Sequence, residues 1–125
     1  MKKILIVEDE EALLFGLKKL FQKSDTSVDV AQTLTEASDL IKKETYTAIL
    51  TDLRLAGTDP LEGFEVIKLA KAQQTNVKII VMTAYAETST RDISLNLGAD
   101  YFFEKPVSAK KIMELLDSLD AIAPA

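Results

Sequence analysis

The sequence predicts an α/β fold, a doubly wound sandwich in which helices cover both faces of a five-stranded parallel sheet. Two observations lead to this prediction. Short, unbroken apolar runs recur along the chain, and such runs are typical of strands buried on both faces of a parallel sheet. After each run, apolar residues fall at helical spacing, so strands and helices alternate. Five such units with right-handed crossovers would bring all the strands into one sheet.

The first two strand–helix units lie in the amino-terminal part of the chain. Residues 4–7 (ILIV) predict the first strand, and residues 10–22 predict a helix whose apolar side would be Leu13, Leu17, Leu20 and Phe21. Residues 28–31 are a weaker strand candidate. Thr33 and Glu36 have the spacing of a capping box, which predicts a second helix with an apolar side formed by Leu34, Ala37 and Ile41.

The third and fourth units follow the same order. Residues 48–51 (AILT) predict a strand, and a loop rich in turn formers (residues 56–63, AGTDPLEG) leads to a helix marked by Val66, Ile67 and Ala70. Residues 77–82 predict the fourth strand. The helix expected over residues 87–97 would end at Gly98, and its Ser, Thr and Asn content makes it a poor intrinsic helix former.

The fifth unit completes the predicted sheet. Residues 101–103 predict its strand, and Ser108 is expected to cap a last helix whose apolar side is Ile112, Leu115, Leu116 and Leu119. Residues 1–120 would then form one domain, with residues 121–125 as a tail or the beginning of a linker.

Composition excludes several classes of chemistry. The chain has no cysteine and no histidine, so disulfides, thiolate or histidine zinc sites and catalytic pairs built on histidine are excluded. Twenty acidic against fifteen basic residues give a net charge of −5, which disfavours binding to nucleic acid or an anionic membrane. No stretch approaches the roughly 18 consecutive apolar residues of a membrane span. We therefore expect a cytoplasmic protein with protein partners.

Polar side chains follow four of the five predicted strands, where a parallel sheet binds its ligands. Glu8 and Asp9 follow the first strand, Asp52 the third, Thr83 the fourth and Lys105 the fifth. Converging carboxylates repel one another unless a cation neutralises them. Mg²⁺ fits best, because it accepts one or two carboxylates and completes its shell with water and phosphate oxygens.

The same residues suit phosphoryl transfer. A carboxylate can attack a phosphoryl donor and form an acyl phosphate, and Asp52, central among the strands, is the expected nucleophile. Asp9 is the expected direct metal ligand, Lys105 the compact positive charge and Thr83 the hydroxyl that senses the phosphoryl group. Each residue alone has a simpler explanation, as a helix-end acid, a strand-end hydroxyl or a solvated lysine. Their joint placement at successive strand ends favours a phosphoryl site.

Four segments taken in order resemble the receiver domains of bacterial response regulators: ILIVEDE, AILTDLRL, VKIIVMTAY and GADYFFEKPV. The resemblance spans essentially the whole chain. It implies a flavodoxin-like (βα)₅ fold and a switch that accepts a phosphoryl group on Asp52, with Mg²⁺, from a sensor histidine kinase or a histidine phosphotransfer protein. It implies no enzymatic activity beyond the chain's own phosphoryl transfer and slow autodephosphorylation.

The resemblance also implies a set of metal ligands. Asp9 and Asp52 would bind Mg²⁺ directly, Glu8 would act through water, and the backbone carbonyl of Arg54 would be a further ligand. Many receivers have an aspartate where this chain has Glu8, and the extra methylene would alter metal affinity.

A second set of implied roles concerns the switch. Thr83 and Lys105 would contact the phosphoryl group, the Lys105–Pro106 peptide bond would be cis, and Phe102 would be the switch aromatic. Because phenylalanine has no hydroxyl, coupling at Phe102 would depend on packing. The face made by the fourth helix, fifth strand and fifth helix would then bind a downstream protein, an attached output domain or a second copy of the chain.

Three alternatives compete with this interpretation. A haloacid-dehalogenase-type phosphohydrolase would need a second aspartate two residues after the nucleophile, where this chain has Arg54. A flavin or nucleotide binder would need a phosphate-cradling loop rich in Gly, Ser or Thr after the first strand, where Glu8 and Asp9 stand. A receiver-like interaction module that works without phosphorylation stays open, because the sequence does not measure phosphorylation.

Overall fold

The computed structural model describes residues 2–55, 61–84 and 86–122, and within them strands and helices alternate as predicted. In chain order the elements are β1 (Lys2–Val7), α1 (Glu11–Phe21), β2 (Thr26–Ala31), α2 (Leu34–Lys43), β3 (Ala48–Thr51), α3 (Leu61–Gln73), β4 (Lys78–Thr83), α4 (Thr88–Leu97), β5 (Tyr101–Glu104) and α5 (Ala109–Ile122). No helix in these described ranges is long and apolar enough to span a membrane.

The five strands form one parallel sheet in the order β2-β1-β3-β4-β5. The chain moves outward from β1 in one direction to reach β2, then crosses back past β1 to β3 and on to β5. The order therefore reverses between β1 and β3, and this reversal point is where open α/β sheets hold their ligands.

Two apolar cores cover the two faces of the sheet. Alternate strand residues such as Leu5 and Val7 pack with side chains from α2 and α3, while Ile4 and Ile6 pack with side chains from α1 and α5. Both faces of the inner strands β1, β3 and β4 are buried, which explains their unbroken apolar runs. The predicted α/β sandwich is confirmed.

The starts of the two helices that were assigned capping residues are confirmed. The Thr33 hydroxyl accepts the Glu36 backbone N–H at 3.1 Å, whereas the Glu36 carboxylate accepts from the Gln32 N–H rather than from Thr33 itself. At α5 the Lys111 N–H donates to the Ser108 hydroxyl at 3.4 Å.

The apolar side predicted for α1 is wrong at one position. Leu20 is 41% exposed, and Leu14, which the prediction omitted, is buried together with Leu17 and Phe21. The segment carries more apolar residues than one helical side can hold, so spacing alone did not fix which side faces the sheet.

The loop predicted over residues 56–63 is shorter at its carboxyl end, because α3 already begins at Leu61. Residues 56–60 of that loop lie outside the described residues. At the other terminus α5 runs to Ile122, into the segment 121–125 that was expected to be a tail, and residues 123–125 lie outside the described part.

Candidate functional site at the carboxyl edge of the sheet

Glu8 and Asp9 extend from the carboxyl end of β1 in different environments. Glu8 is only 1% exposed, whereas Asp9 is exposed. The Glu8 backbone N–H continues the sheet by donating to the Ala31 carbonyl at 3.0 Å, and one oxygen of its carboxylate accepts the Glu10 N–H at 3.1 Å. Glu8 is therefore held in place by its own backbone and the start of α1.

Asp52 directly follows β3, and its backbone N–H donates to the Val7 carbonyl at 3.0 Å. Its side chain is buried, with Oδ1 accepting the backbone N–H groups of Leu53 at 2.6 Å and Arg54 at 3.4 Å. The carboxylate is thus fixed by the turn that follows it, and its other oxygen, Oδ2, is directed to the site.

Gly63, in the first turn of α3, presses directly against the backbone that carries Asp52. Its N–H donates to the Leu53 carbonyl at 2.9 Å. A Cβ added to Gly63 would lie 2.3 Å from the Leu53 Cα and 2.6 Å from the Asp52 carbonyl oxygen. Only glycine allows this approach. The start of α3 therefore packs directly against the turn that carries Asp52 and holds that turn in place.

Lys105 links the acidic residues. Its backbone N–H donates to the Thr83 carbonyl at 2.8 Å, which continues the pairing of β4 and β5. Its ammonium nitrogen lies 2.6 Å from Glu8 Oε1 and 2.9 Å from Asp52 Oδ2. The Lys105–Pro106 bond is cis, as the resemblance implied. One lysine from the edge strand therefore holds two carboxylates from inner strands.

Burial and charge act in opposite directions on these groups. Burial raises the pKa of the Glu8 carboxyl, and the hydrogen bond from Lys105 offsets this only in part. Burial would lower the pKa of the Lys105 ammonium, but the two carboxylates outweigh it and the pKa is raised. Lys105 therefore stays protonated at neutral pH, as a fixed positive charge between the acids.

The acidic residues meet the donor requirements of a hard divalent cation. Carboxylate oxygens of Glu8, Asp9 and Asp52 lie within 4.8 Å of one another. Mg²⁺ binds through one or two carboxylates together with waters and phosphate oxygens, and this cluster can supply those carboxylates. Asp9, being exposed, can turn toward an ion without losing a partner inside the protein core.

The remaining predicted residues lie around this group. Thr83 ends β4 and is completely buried, and Arg54 follows Asp52 by two residues and is half-buried. Phe102 is half-buried in β5, pairs with Val81 and packs against the core on the α2 and α3 side of the sheet. The structure thus brings the predicted residues of β1, β3, β4 and β5 to one edge.

Two features of the site were not predicted. These are the close approach of Gly63 to the Asp52 turn and the contact of Lys105 with Glu8 as well as with Asp52. A glycine three residues after Pro60, at the start of a helix, is a signal that could have been noticed, since glycine inside a helical segment often marks a close approach.

Comparisons with known proteins agree on one family. The profile of the response regulator receiver domain matches residues 4–117. Sporulation initiation phosphotransferase F of Bacillus subtilis (strain 168) is 33% identical over 113 residues, which cover 90% of this chain and 89% of that protein. A CheY-like receiver domain from Methanospirillum hungatei JF-1 superposes with a TM-score of 0.87 at 31% identity, covering 97% of this chain and 95% of the other.

Longer relatives are also similar to this chain. The response regulator MprA of Mycolicibacterium vanbaalenii is 29% identical over 117 residues, but the match spans only 49% of that protein. The chain therefore spans about half the length of these relatives. The fold and the site define a flavodoxin-like α/β protein with an acidic, lysine-bridged edge. The chain belongs to the response regulator receiver domain family of two-component systems.

Proposed function

We propose that this receiver domain is a phosphorylation switch whose acceptor is Asp52. The observation that carries the proposal is the position of the Lys105 ammonium, 2.9 Å from Asp52 Oδ2, beside three carboxylates that gather at one edge of the sheet. Converging carboxylates repel one another, and ionisable groups with shifted pKa values such as Glu8 and Lys105 are a common mark of a functional site.

The chemical step is attack by an Asp52 carboxylate oxygen on the phosphorus of a phosphohistidine. A P–O bond to Asp52 forms as the P–N bond breaks, and the electron pair returns to the imidazole nitrogen of the donor. This sequence has no histidine, so the donor histidine lies outside it, on a sensor histidine kinase or a histidine phosphotransfer protein. The product is an acyl phosphate on Asp52.

The chain's own groups prepare this step. Hydrogen bonds from Leu53 and Arg54 hold Asp52 Oδ1, which leaves Oδ2 to attack. The Lys105 ammonium is placed to offset negative charge on the transferring group. Asp9, Asp52 and the Arg54 carbonyl would hold Mg²⁺ directly, with Glu8 acting through water. When bound, the ion supplies the positive charge that lets carboxylates and a phosphoryl group share one site.

The response to phosphorylation passes through Thr83 and Phe102. The Thr83 hydroxyl would move toward a phosphoryl oxygen, and Phe102, which lies half-buried on the neighbouring strand, would repack into the space released. The face formed by α4, β5 and α5 would change shape as a result. A downstream protein, an attached output domain or a second copy of the chain would read this change.

We propose no further enzymatic activity, beyond slow loss of the phosphoryl group to water. Two kinds of relative suggest how the signal continues. The chain matches nearly the full length of a protein named as a phosphotransferase and about half of the regulators named MprA. A relay between proteins and control of an attached domain are therefore both compatible with the same receiver chemistry.

Intact-protein mass spectrometry tests the proposal. The wild type and Asp52→Ala would be incubated with acetyl phosphate, with and without Mg²⁺. We expect one phosphoryl adduct on the wild type, formed only with Mg²⁺ and absent from the variant. Folded wild type that gains no adduct, from acetyl phosphate or from phosphoramidate, would contradict the proposal and favour an interaction module that works without phosphorylation.

A further inference from the structure

Helix α4 buries a serine and exposes two branched apolar side chains, although Leu97 packs against the core. Ser94 is its one fully buried residue, at 0% exposure. Ile93 and Leu95, which flank Ser94, are 45% and 39% exposed. An amphipathic helix normally buries its branched apolar residues and exposes its serines. In the present position of α4, apolar surface of Ile93 and Leu95 therefore stays in contact with solvent instead of being buried.

The hydroxyl of Ser94 adds a specific cost. Within the described part of the chain its oxygen has no hydrogen-bond partner, although it is shielded from solvent. A hydroxyl that loses water without gaining a partner destabilises the folded state by a factor of about five or more in the folding equilibrium. The Ser94 backbone is well paired, since its carbonyl accepts the Ala99 N–H at 3.0 Å. The cost is therefore local to the side chain.

Helix α4 also connects the two proposed switch residues. It follows Thr83 at the end of β4, and Gly98, with φ of 118°, ends the helix just before the strand that carries Phe102. Because α4 lies between Thr83 and Phe102 in the chain and contacts β5, it is placed to move when these residues move. A displacement of α4 that exposed Ser94 would let its hydroxyl hydrogen-bond to water and would remove this cost.

We propose that Ser94 sets the switching equilibrium of this receiver, because its buried, unpaired hydroxyl destabilises the unphosphorylated position of α4 and so lowers the free energy needed to move it. The inference rests on the proposed phosphorylation switch and adds the residue that tunes it. A ligand shifts a conformational equilibrium only by its preference for one state. A smaller free-energy difference between the two positions of α4 therefore gives tighter apparent binding of the ligand. The unpaired hydroxyl of Ser94 therefore makes the receiver respond more readily to phosphorylation.

The test compares Ser94→Ala with Ser89→Ala. Ser89 is exposed in the first turn of α4, so both variants make the same side-chain change in one helix and only Ser94→Ala removes a buried hydroxyl. Beryllofluoride with Mg²⁺ would serve as the phosphoryl mimic. We expect Ser94→Ala to weaken apparent beryllofluoride binding about fivefold or more, and to slow amide exchange in α4 by a similar factor. Ser89→Ala should match the wild type in beryllofluoride binding.

The outcomes separate this inference from the proposed function. If wild type binds beryllofluoride and the two variants bind it equally, Ser94 does not set the equilibrium and the inference is overturned. Slower α4 exchange in Ser94→Ala without weaker binding would also overturn it, because the position of α4 would then be uncoupled from the site. If wild type binds no beryllofluoride, the switch itself is wrong, and the role of Ser94 within it is lost as well.

Discussion

The two ends of the sheet both carry charged residues, but in different balance. At the amino ends, Lys3 lies 2.9 Å from Glu44, and the Tyr46 hydroxyl donates to Asp29 at 2.7 Å. Each of these four side chains has a partner within the protein. At the carboxyl ends, the Lys105 ammonium contacts the carboxylates of Glu8 and Asp52, and Asp9 adds a third carboxylate within 4.8 Å of them.

This difference separates structural polar groups from functional ones. Gln74 shows the structural kind, because its side chain accepts the Tyr46 N–H at 2.8 Å and donates to the carbonyls of Ile41 at 3.0 Å and Glu44 at 2.7 Å. All of these bonds lie within the protein, and they join α3 to the end of α2. The carboxyl edge instead keeps an excess of negative charge that only an added cation would balance.

The largest effect on stability should come from Gly63→Ala, at the carboxyl edge. Because the new Cβ would lie 2.3 Å from the Leu53 Cα, either α3 or the Asp52 turn must shift. We expect a loss of about 3 kcal/mol in the free energy of unfolding, measured by urea denaturation. Gly16→Ala in α1 is the control, since nothing lies within 4 Å of its added Cβ, and it should be neutral or stabilising. Equal stability of both variants would contradict the close approach.

At the amino ends, Gln74→Ala should cost about 2 kcal/mol, because it leaves one buried N–H and two carbonyls without their partner. The exposed Gln73 provides the control, and Gln73→Ala should change stability by less than about 0.5 kcal/mol. Magnesium-dependent phosphorylation should survive in both variants. A folded Gln74→Ala protein that no longer accepts a phosphoryl group would show that the two ends are not independent.

Removal of the shared ammonium should strengthen metal binding. In Lys105→Met, Glu8 and Asp52 lose the cation at 2.6 and 2.9 Å, so Mg²⁺ no longer competes with it. We expect magnesium affinity to rise about tenfold in calorimetric titration, a modest coupling free energy. Lys42→Met removes the same charge from an exposed position in α2 and controls for net charge. Unchanged or weaker binding in Lys105→Met would mean that the lysine does not compete with the ion.

The smallest effect concerns Tyr46 and alkaline pH. Burial raises the pKa of the Tyr46 hydroxyl, and its bond to Asp29 raises it further. A folded-state pKa above the unfolded value of about 10 means that the stabilisation is complete below that pH and is lost as pH rises above it. Tyr46→Phe should cost about 1 kcal/mol at neutral pH. Its stability should also fall less steeply than that of wild type above about pH 10, and parallel curves would contradict this assignment.

The elements predicted best from the sequence are those that the pattern of apolar residues determines. The strand over residues 48–51 was predicted to the residue, because a strand buried on both faces must be apolar throughout. The five chemical groups at the strand ends were also predicted to converge, since parallel strands end at one edge. For α1 the same logic was insufficient, because several apolar residues compete for one side and tertiary packing selected Leu14 over Leu20.

The parts that the sequence did not predict depend on single long-range contacts. Gln74 and Tyr46 lie 28 residues apart, and neither position belongs to a periodic pattern. The contact of Lys105 with Glu8 depends on which strands are neighbours and on side-chain reach. Ser94 stands in the middle of a polar helix, so its burial becomes visible only once α4 is packed against the sheet.

The most direct test of the central claim locates the phosphoryl group at the level of single residues. Protein treated with acetyl phosphate and Mg²⁺ would be reduced with borohydride, which converts an aspartyl phosphate to homoserine, then digested and sequenced by mass spectrometry. The account predicts homoserine at position 52 alone, and none when Mg²⁺ is omitted. Reduction at Asp9 or Glu8 instead, or an unmodified residue 52 in protein that carries the adduct, would contradict the assignment of Asp52 as acceptor.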